Sequence, residues 1–397
     1  MILGIPQETF PGERRVAIIP ASMKAIQKLG LDVVIEAGAG EKAGFLDSMY
    51  LEAGAKVVSS RDELFQQADI VAMVRACGAN LDAGAADVNR LRPGQCLVAQ
   101  CDPLSDAKES AKLAVTKATI FALELVPRIT RAQSMDVLSS MATIAGYKGV
   151  MLAANMLPQL FPMMMTAAGT LKPSRVFVMG AGVAGLQAIA SAKRLGAVVS
   201  AYDVRPVVKE QVESLGGRFV EIALEAAEGS GGYAKEVGEE FLKKQREMLL
   251  KVVAESDVVI TTAAVPGKKA PILLTEEMVR AMPAGSVVVD LAAERGGNCA
   301  LTKPGETVEV QGVTILGPVN VASEIPRHAS QMYSNNVTTF LKSIVKEGKL
   351  TIDHSDEVVA GTLLTESGEL VHPFARELAG LPPLPTPASA PTSASAT

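Results

Sequence analysis

Gly180-Ala181-Gly182-Val183-Ala184-Gly185 is the run in this 397-residue chain whose spacing most plainly points to chemistry. The apolar run Arg175–Met179 before it reads as a strand, and the stretch after it keeps Leu186, Ile189, Ala190 and Leu195 at helical spacing. Glycines at such a strand-to-helix turn suit a pyrophosphate: Gly180 permits the tight turn, Gly182 lets backbone approach the phosphates, and Gly185 seats the helix close on the sheet. The amides around Ala181 and Val183, at the helix start, then face the phosphates. The next apolar run, Val198–Tyr202, ends at Asp203, where an acid accepts hydrogen bonds from an adenosine ribose. That carboxylate favours NAD(H). Beyond Val204, Arg205 weakens the preference, because an arginine there can serve a 2′-phosphate. A glycine turn of an unrelated α/β domain is the bland alternative, and the flanking strand, helix and acid argue against it.

A second polar run is Pro127-Arg128-Ile129-Thr130-Arg131-Ala132-Gln133-Ser134-Met135-Asp136-Val137-Leu138-Ser139-Ser140. Asp136, Ser139, Ser140 and Thr143 share one face if a helix starts here. Equally, Asp136 can be only a helix N-cap and Arg128 only a surface charge. Near the N-terminus stand Gly4-Ile5-Pro6-Gln7-Glu8 and Glu13-Arg14-Arg15-Val16-Ala17. These opening stretches resemble the alanine dehydrogenase and transhydrogenase superfamily. The Arg128–Ser139 loop resembles that of the NAD(H)-binding alpha subunit of proton-translocating NAD(P) transhydrogenases, and the likeness runs from Met1 to about Gly380.

The resemblance implies that Arg128, Gln133, Asp136 and Ser139 hold the nicotinamide ring and its carboxamide, among Ile129, Thr130, Ser134 and Met135. Arg128, Gln133 and Asp136 are then the catalytic positions. It also implies a mobile loop closing over the nucleotide, which Gly229-Ser230-Gly231-Gly232-Tyr233 resembles, with Gly232 as a hinge and Tyr233 as the closing side chain. Glu239–Lys243 and Glu240–Lys244 pairs would stabilise the helix after it. Thr261-Thr262-Ala263-Ala264-Val265-Pro266-Gly267 resembles the segment beside the nicotinamide half, so Ala264 is a further contact.

Two enzymes and a binder remain open. An amino-acid dehydrogenase needs a base and a carboxylate anchor, yet Met73 stands where a lysine is expected, only Arg75 is basic nearby, and no histidine precedes His328. Arg15 alone remains of that pocket. Transhydrogenation passes hydride directly between nicotinamides, so the protein supplies orientation and exclusion of water rather than acid and base. The chain has one glycine fingerprint, so NADP(H) is expected on a partner polypeptide. The resemblance implies a homodimer joined to membrane-spanning and NADP(H)-binding subunits that translocate the proton, and a peripheral place on the cytoplasmic face of the inner membrane. A catalytically silent NAD(H) module is the third class. Glu294, in Glu294-Arg295-Gly296-Gly297-Asn298, has no role that can be read from sequence.

These residues need elements to position them. Ile2–Ile5, Asp32–Ile35, Ala68–Val74, Gln95–Gln100 and Thr119–Leu123 read as strands between helical stretches such as Ala21–Leu29 and Ser60–Ala68. Arg175–Met179, Val198–Tyr202, Val258–Thr261, Ser286–Asp290 and Thr314–Gly317 repeat the rhythm. The expected fold class is α/β: two Rossmann-like, doubly wound parallel-sheet domains joined by long helices, with a disordered Pro/Ala tail. Their expected bounds are 1–138 with a return segment 328–380, then 139–327, with the tail at 381–397. Asn335–Lys349 reads as an amphipathic helix with Phe340, Ile344 and Val345 on its apolar side.

Composition agrees with this architecture. Hydrophobic residues make up 48% and aromatics only 4%, with no Trp, which suits aliphatic strands buried on both faces. A net charge of −5 argues against nucleic acid and anionic lipid as partners. Cys77, Cys96, Cys101 and Cys299 lack metal or redox spacing, so no metal site is expected. No secretory signal is read at the N-terminus. The uncharged stretch from Lys148 to Lys172 is long enough to span a bilayer, but Pro158, Pro162 and Gly169 make it a buried helix with an apolar connector.

Overall fold

The computed structural model describes residues 1–105, 107–221, 239–264 and 267–384, without the side chains of 239–244. Two large sheets carry the chain. Across the first the strands run Glu369–Leu370, Leu363–Glu366, Thr119–Ala122, Cys96–Gln100, Ile70–Arg75, Ile2–Ile5, Asp32–Glu36 and Lys56–Val58. Across the second they run Arg218–Phe219, Val198–Tyr202, Arg175–Met179, Val258–Thr261, Val287–Asp290, Val313–Leu316 and Thr307–Val310. Both are doubly wound α/β sheets. Strand order reverses beside Ile2–Ile5 in the first and beside Arg175–Met179 in the second, and ligand crevices open at such reversals.

The central strands are short runs of Val, Ile and Ala buried on both faces, as in Val258–Thr261 and Val287–Asp290. Edge strands escape that signal. Lys56–Val58, Arg218–Phe219 and Thr307–Val310 are short and partly exposed, and sequence pattern missed them. Thr307–Val310 and the Leu363–Leu370 hairpin also run antiparallel to their neighbours, so neither sheet is wholly parallel.

Three expected elements have different bounds. The helix read at Asn335–Lys349 instead spans Pro326–Ile344, beginning at a proline that tolerates the first helical turn. Its end is set by Glu347 and Gly348, both at positive φ, which turn Val345–Lys346 back onto Lys349–Leu350. Val345 therefore lies on a strand, although it is still buried. The helical stretch Ala21–Leu29 is a 3-10 turn, Pro20–Ser22, followed by the short helix Met23–Gln27. The apolar connector after the central helix is an exposed hairpin, Met164–Thr166 with Gly169–Leu171.

Helix Val137–Met156 is, among the described residues, the one long and apolar enough to cross a membrane. It packs between the glycine-turn helix Val183–Arg194 and helix Pro326–Ile344, and its Lys148 pairs with Glu324 at 3.0 Å. Helix Pro326–Ile344 lies on the first sheet, where Phe340 meets Phe121 edge-on at 5.3 Å and the Tyr333 hydroxyl donates to the Met73 carbonyl at 2.8 Å.

Candidate functional site

Strand register builds the glycine site. Thr261 is paired with Met179, so the residues that follow, Thr262 and Gly180, emerge side by side at the carboxyl edge of the sheet. The Thr262 hydroxyl donates to the Gly180 carbonyl at 3.0 Å, and the Gly180 amide donates to the Tyr202 carbonyl at 2.8 Å. Gly180 has φ +101°, a conformation open to glycine. A Cβ on Gly185 would lie 1.9 Å from the Gly180 carbonyl oxygen, so helix Val183–Arg194 can start here only on glycine. Gly182 differs: among the described residues, a Cβ there would meet nothing within 4 Å. It is the N-cap of that helix and supplies no side-chain cap, so the first amides of the helix have no capping side chain from it.

Asp203 accepts the Ala181 amide at 2.7 Å, which ties the acid directly to the glycine turn. Arg205 forks onto the same carboxylate at 2.9 and 3.0 Å, and its own amide donates at 2.9 Å. Burial alone would raise the Asp203 carboxyl, but these bonds from Arg205 and Ala181 outweigh it and hold the carboxyl below its ordinary value. The arginine expected to weaken the preference for NAD(H) is thus occupied by the acid. Val204 is exposed beside them.

The Arg128–Ser139 loop sits at the far end of helix Val137–Met156. Thr130–Met135 form a 3-10 turn, and Asp136 is the N-cap, accepting the Ser139 amide at 2.8 Å and the Ser139 hydroxyl at 2.5 Å. Capping accounts for both Asp136 oxygens. Arg128, Thr130, Gln133 and Ser134 are exposed, Ile129 is half-buried and Met135 is buried. Among the described residues the side chains of Arg128 and Gln133 make no hydrogen bond or ion pair.

One helix joins loop to turn. A Cβ on Gly146 would lie 2.1 Å from the Ala184 carbonyl, so helix Val137–Met156 touches the backbone of the glycine-turn helix. Ten residues at 1.5 Å each put Asp136 roughly 15 Å from that contact. On the other wall Asn298, fully buried, accepts the Ala263 amide at 2.9 Å and donates to the Ala263 carbonyl at 2.8 Å, which fixes the approach to Ala264. Asp290 in turn accepts the Asn298 amide at 2.8 Å and the Thr261 hydroxyl at 2.9 Å. Sequence spacing missed both residues, although Asp290 closing a Val run was a usable signal. Gly232 and Tyr233 lie outside the described residues, as do the expected Glu239–Lys243 and Glu240–Lys244 pairs.

Contacts also cross between the two sheets. Arg295 forks onto both oxygens of Asp102 at 2.9 Å and donates to the Ser105 hydroxyl. Asp102 stands at φ +50°, held there by Glu124, whose Oε1 accepts the amides of Cys101 and Asp102. The other Glu124 oxygen is buried without a partner among the described residues, and burial pushes the carboxyl up to about 7. Glu294, unassigned from sequence, accepts the Asn320 amide at 2.7 Å and faces Arg75 at 3.4 Å.

Arg15 is closed off. Its guanidinium forks onto Glu13 at 2.7 and 2.6 Å, reaches Asn320 at 3.2 Å, and is only 4% exposed. Burial alone would raise the Glu13 carboxyl, but Arg15 and Asn320 hold it down to about 2. Met73 is buried in the core cluster that includes Leu64, Phe65 and Leu97.

Family models for the alanine dehydrogenase/PNT N-terminal domain match residues 4–145, and those for its C-terminal domain match residues 149–373. The chain belongs to the alanine dehydrogenase/PNT family, on its transhydrogenase alpha-subunit branch. Over 378 residues it is 48% identical to a Rhodospirillum rubrum chain named as the first portion of NAD(P) transhydrogenase subunit alpha, covering 94% of this chain and 98% of that one. A solved transhydrogenase structure from Sinorhizobium meliloti has a TM-score of 0.82 at 44% identity, covering 94% of this chain and all of the other. An L-alanine dehydrogenase structure has a TM-score of 0.80 at 26% identity, covering 96% and 99%. The transhydrogenase branch is thus separated from the dehydrogenases by sequence far more than by fold.

Proposed function

We propose that this transhydrogenase-family chain binds NAD(H) and presents it for direct hydride exchange with NADP(H) held on a partner subunit, coupled to proton translocation in membrane-spanning partners. The observation that carries this reading is the pairing of two unlike places by one helix: the glycine turn at Gly180–Gly185 and the unpaired Arg128 and Gln133. Gly182 and the uncapped helix start would receive the pyrophosphate, and Asp203 the adenosine ribose. Asp136 and Ser139 would shape the loop while Arg128 and Gln133 meet the nicotinamide carboxamide, a separation that one extended dinucleotide can span. Bound NAD(H) supplies the hydride; the chain's residues orient it and exclude water. Re/Si specificity belongs to this proposal, because the loop fixes which ring face is presented.

The closed Arg15–Glu13–Asn320 network and the buried Met73 speak against an amino-acid dehydrogenase, which needs an open carboxylate anchor and a base. We take residues 1–138 with 328–380 as one domain and 139–327 as the other, with Ala264 lining the cleft. The exposed hairpin with Met165 at its edge supports a homodimer, since exposed apolar ribbons mark association surfaces. A peripheral place on the cytoplasmic membrane face follows from the partners.

Mixing the purified chain with its NADP(H)-binding partner, and following hydride transfer from NADPH to an NAD analogue, tests the reading. Exchange is expected, and Gln133→Asn should slow it at least about tenfold while NADH binding stays unchanged. No exchange by the unaltered chains, with normal NADH binding, overturns the function. Pyruvate-dependent NADH oxidation by this chain alone would favour the dehydrogenase instead.

A further inference from the structure

Gln133 rides on a turn with little stability of its own. A six-residue 3-10 segment has poor hydrogen-bond geometry, and most of its residues are exposed. What holds it comes from the C-terminal part of the chain. Arg131 forks onto Asp356 at 3.0 and 2.8 Å. The same Asp356 caps helix Glu357–Thr362 through the amides of Val358 and Val359 at 2.8 and 3.3 Å, so the arginine is anchored to a helix end rather than to a loose side chain. From beneath, the Asn336 amide group donates to the Ser134 carbonyl at 2.8 Å. Pro127, at the start of the loop, rests against Gly361, where a Cβ would come within 3.4 Å of its ring.

Stability does not explain these choices. An ion pair at the surface adds little to folding. Asn336 is buried, and among the described residues its side-chain oxygen lacks a partner, which is unfavourable. An apolar residue would pack better in that place, whereas an asparagine can hold the Ser134 carbonyl. Arg131 and Ser134 bracket Gln133 closely, so fixing both fixes where its side chain starts.

We propose that Asp356 and Asn336 are positioning residues for hydride exchange, locking the Arg131–Ser134 turn so that Gln133 and Arg128 meet the nicotinamide in one geometry. This rests on the transfer function proposed above. The nucleotide's hold on the glycine turn does not depend on these contacts, so binding and transfer should separate.

The test uses the full chain with its NADP(H)-binding partner and the variants Asp356→Asn, Arg131→Gln, their double, and Asn336→Ala. Asp356→Asn keeps an oxygen to cap helix Glu357–Thr362 and loses the charge facing Arg131. Exchange at saturating nucleotide should fall about five- to tenfold in each single variant, with the NADH dissociation constant of the chain changed less than about twofold. The double variant should be no slower than the slower single, because both remove one contact. Unchanged exchange, a loss matched by lost NADH affinity, or additive losses in the double would overturn the proposal. Should the unaltered complex fail to exchange while binding NADH, the transfer function falls and takes this proposal with it.

Discussion

The glycine turn and the Arg128–Ser139 loop differ in what makes them specific. The turn is defined by backbone: Gly185 seals against the Gly180 carbonyl, Asp203 is tied to the Ala181 amide, and side chains contribute mainly by being absent. The loop offers two side chains, Arg128 and Gln133, that are unpaired among the described residues, on a backbone tied to other parts of the chain. A backbone cradle suits the pyrophosphate common to all dinucleotides, while projecting side chains suit one ring in one orientation. On the function proposed above, binding and use of the nucleotide should therefore separate.

The largest effects are expected within the turn itself. Gly185→Ala should lower the melting temperature by about 5–10 °C and weaken NADH binding more than about 100-fold, since its methyl would collide with backbone. Gly182→Ala should leave melting within about 1 °C of the unaltered chain yet weaken NADH about tenfold, because no described residue would meet its methyl while a phosphate would. Calorimetric titration beside thermal melts decides both. Equal destabilisation by the two alanines would mean that Gly182 serves folding, not phosphate approach.

A smaller effect is expected at Asp203. Asp203→Asn should weaken NADH about tenfold and narrow the preference over NADPH, because Arg205 is released from its fork. Its folded-state carboxyl lies below the ordinary value, so its contribution is present above the ordinary carboxylate range and lost only as pH falls through the lowered value. NADH affinity of the unaltered chain should therefore stay flat from about pH 8 to about pH 5. A rise or fall across that window would assign the acid a different state.

The smallest effect concerns Glu124, which holds Asp102 toward Arg295. Its carboxyl is raised from 4.5 to about 7, so the folded chain keeps a proton that the unfolded chain releases across that window. The stabilising contribution is therefore complete below the lower value and lost as pH rises through about 7. Glu124→Gln keeps the acceptor for Cys101 and Asp102 and puts an amide at the unpartnered oxygen. It should raise the melting temperature by about 2 °C at pH 8 and not at pH 5. A gain equal at both would remove ionisation as the cause.

Local pattern made one half of this site legible. Glycine spacing after an apolar strand, an acid closing the next strand, and the alternation of short Val-rich runs with helices all express constraints within a few tens of residues. Those constraints act through backbone sterics and periodic burial, so composition and spacing carry them. The alpha-subunit resemblance of the Arg128–Ser139 loop was likewise readable from contiguous residues. What the tertiary structure alone decided involves residues far apart in the chain. Asp356 and Asn336 reach the loop from more than 200 positions away, Arg295 meets Asp102 across two sheets, and Asn298 fixes Ala263 through a buried side chain. Two local pairings were legible only as alternatives: Asp136 as an N-cap was one of two readings, and Arg205 stood open to a 2′-phosphate until its fork onto Asp203 was seen. Strand register brought Gly180 beside Thr262, and no local signal encodes register between strands separated by a crossover.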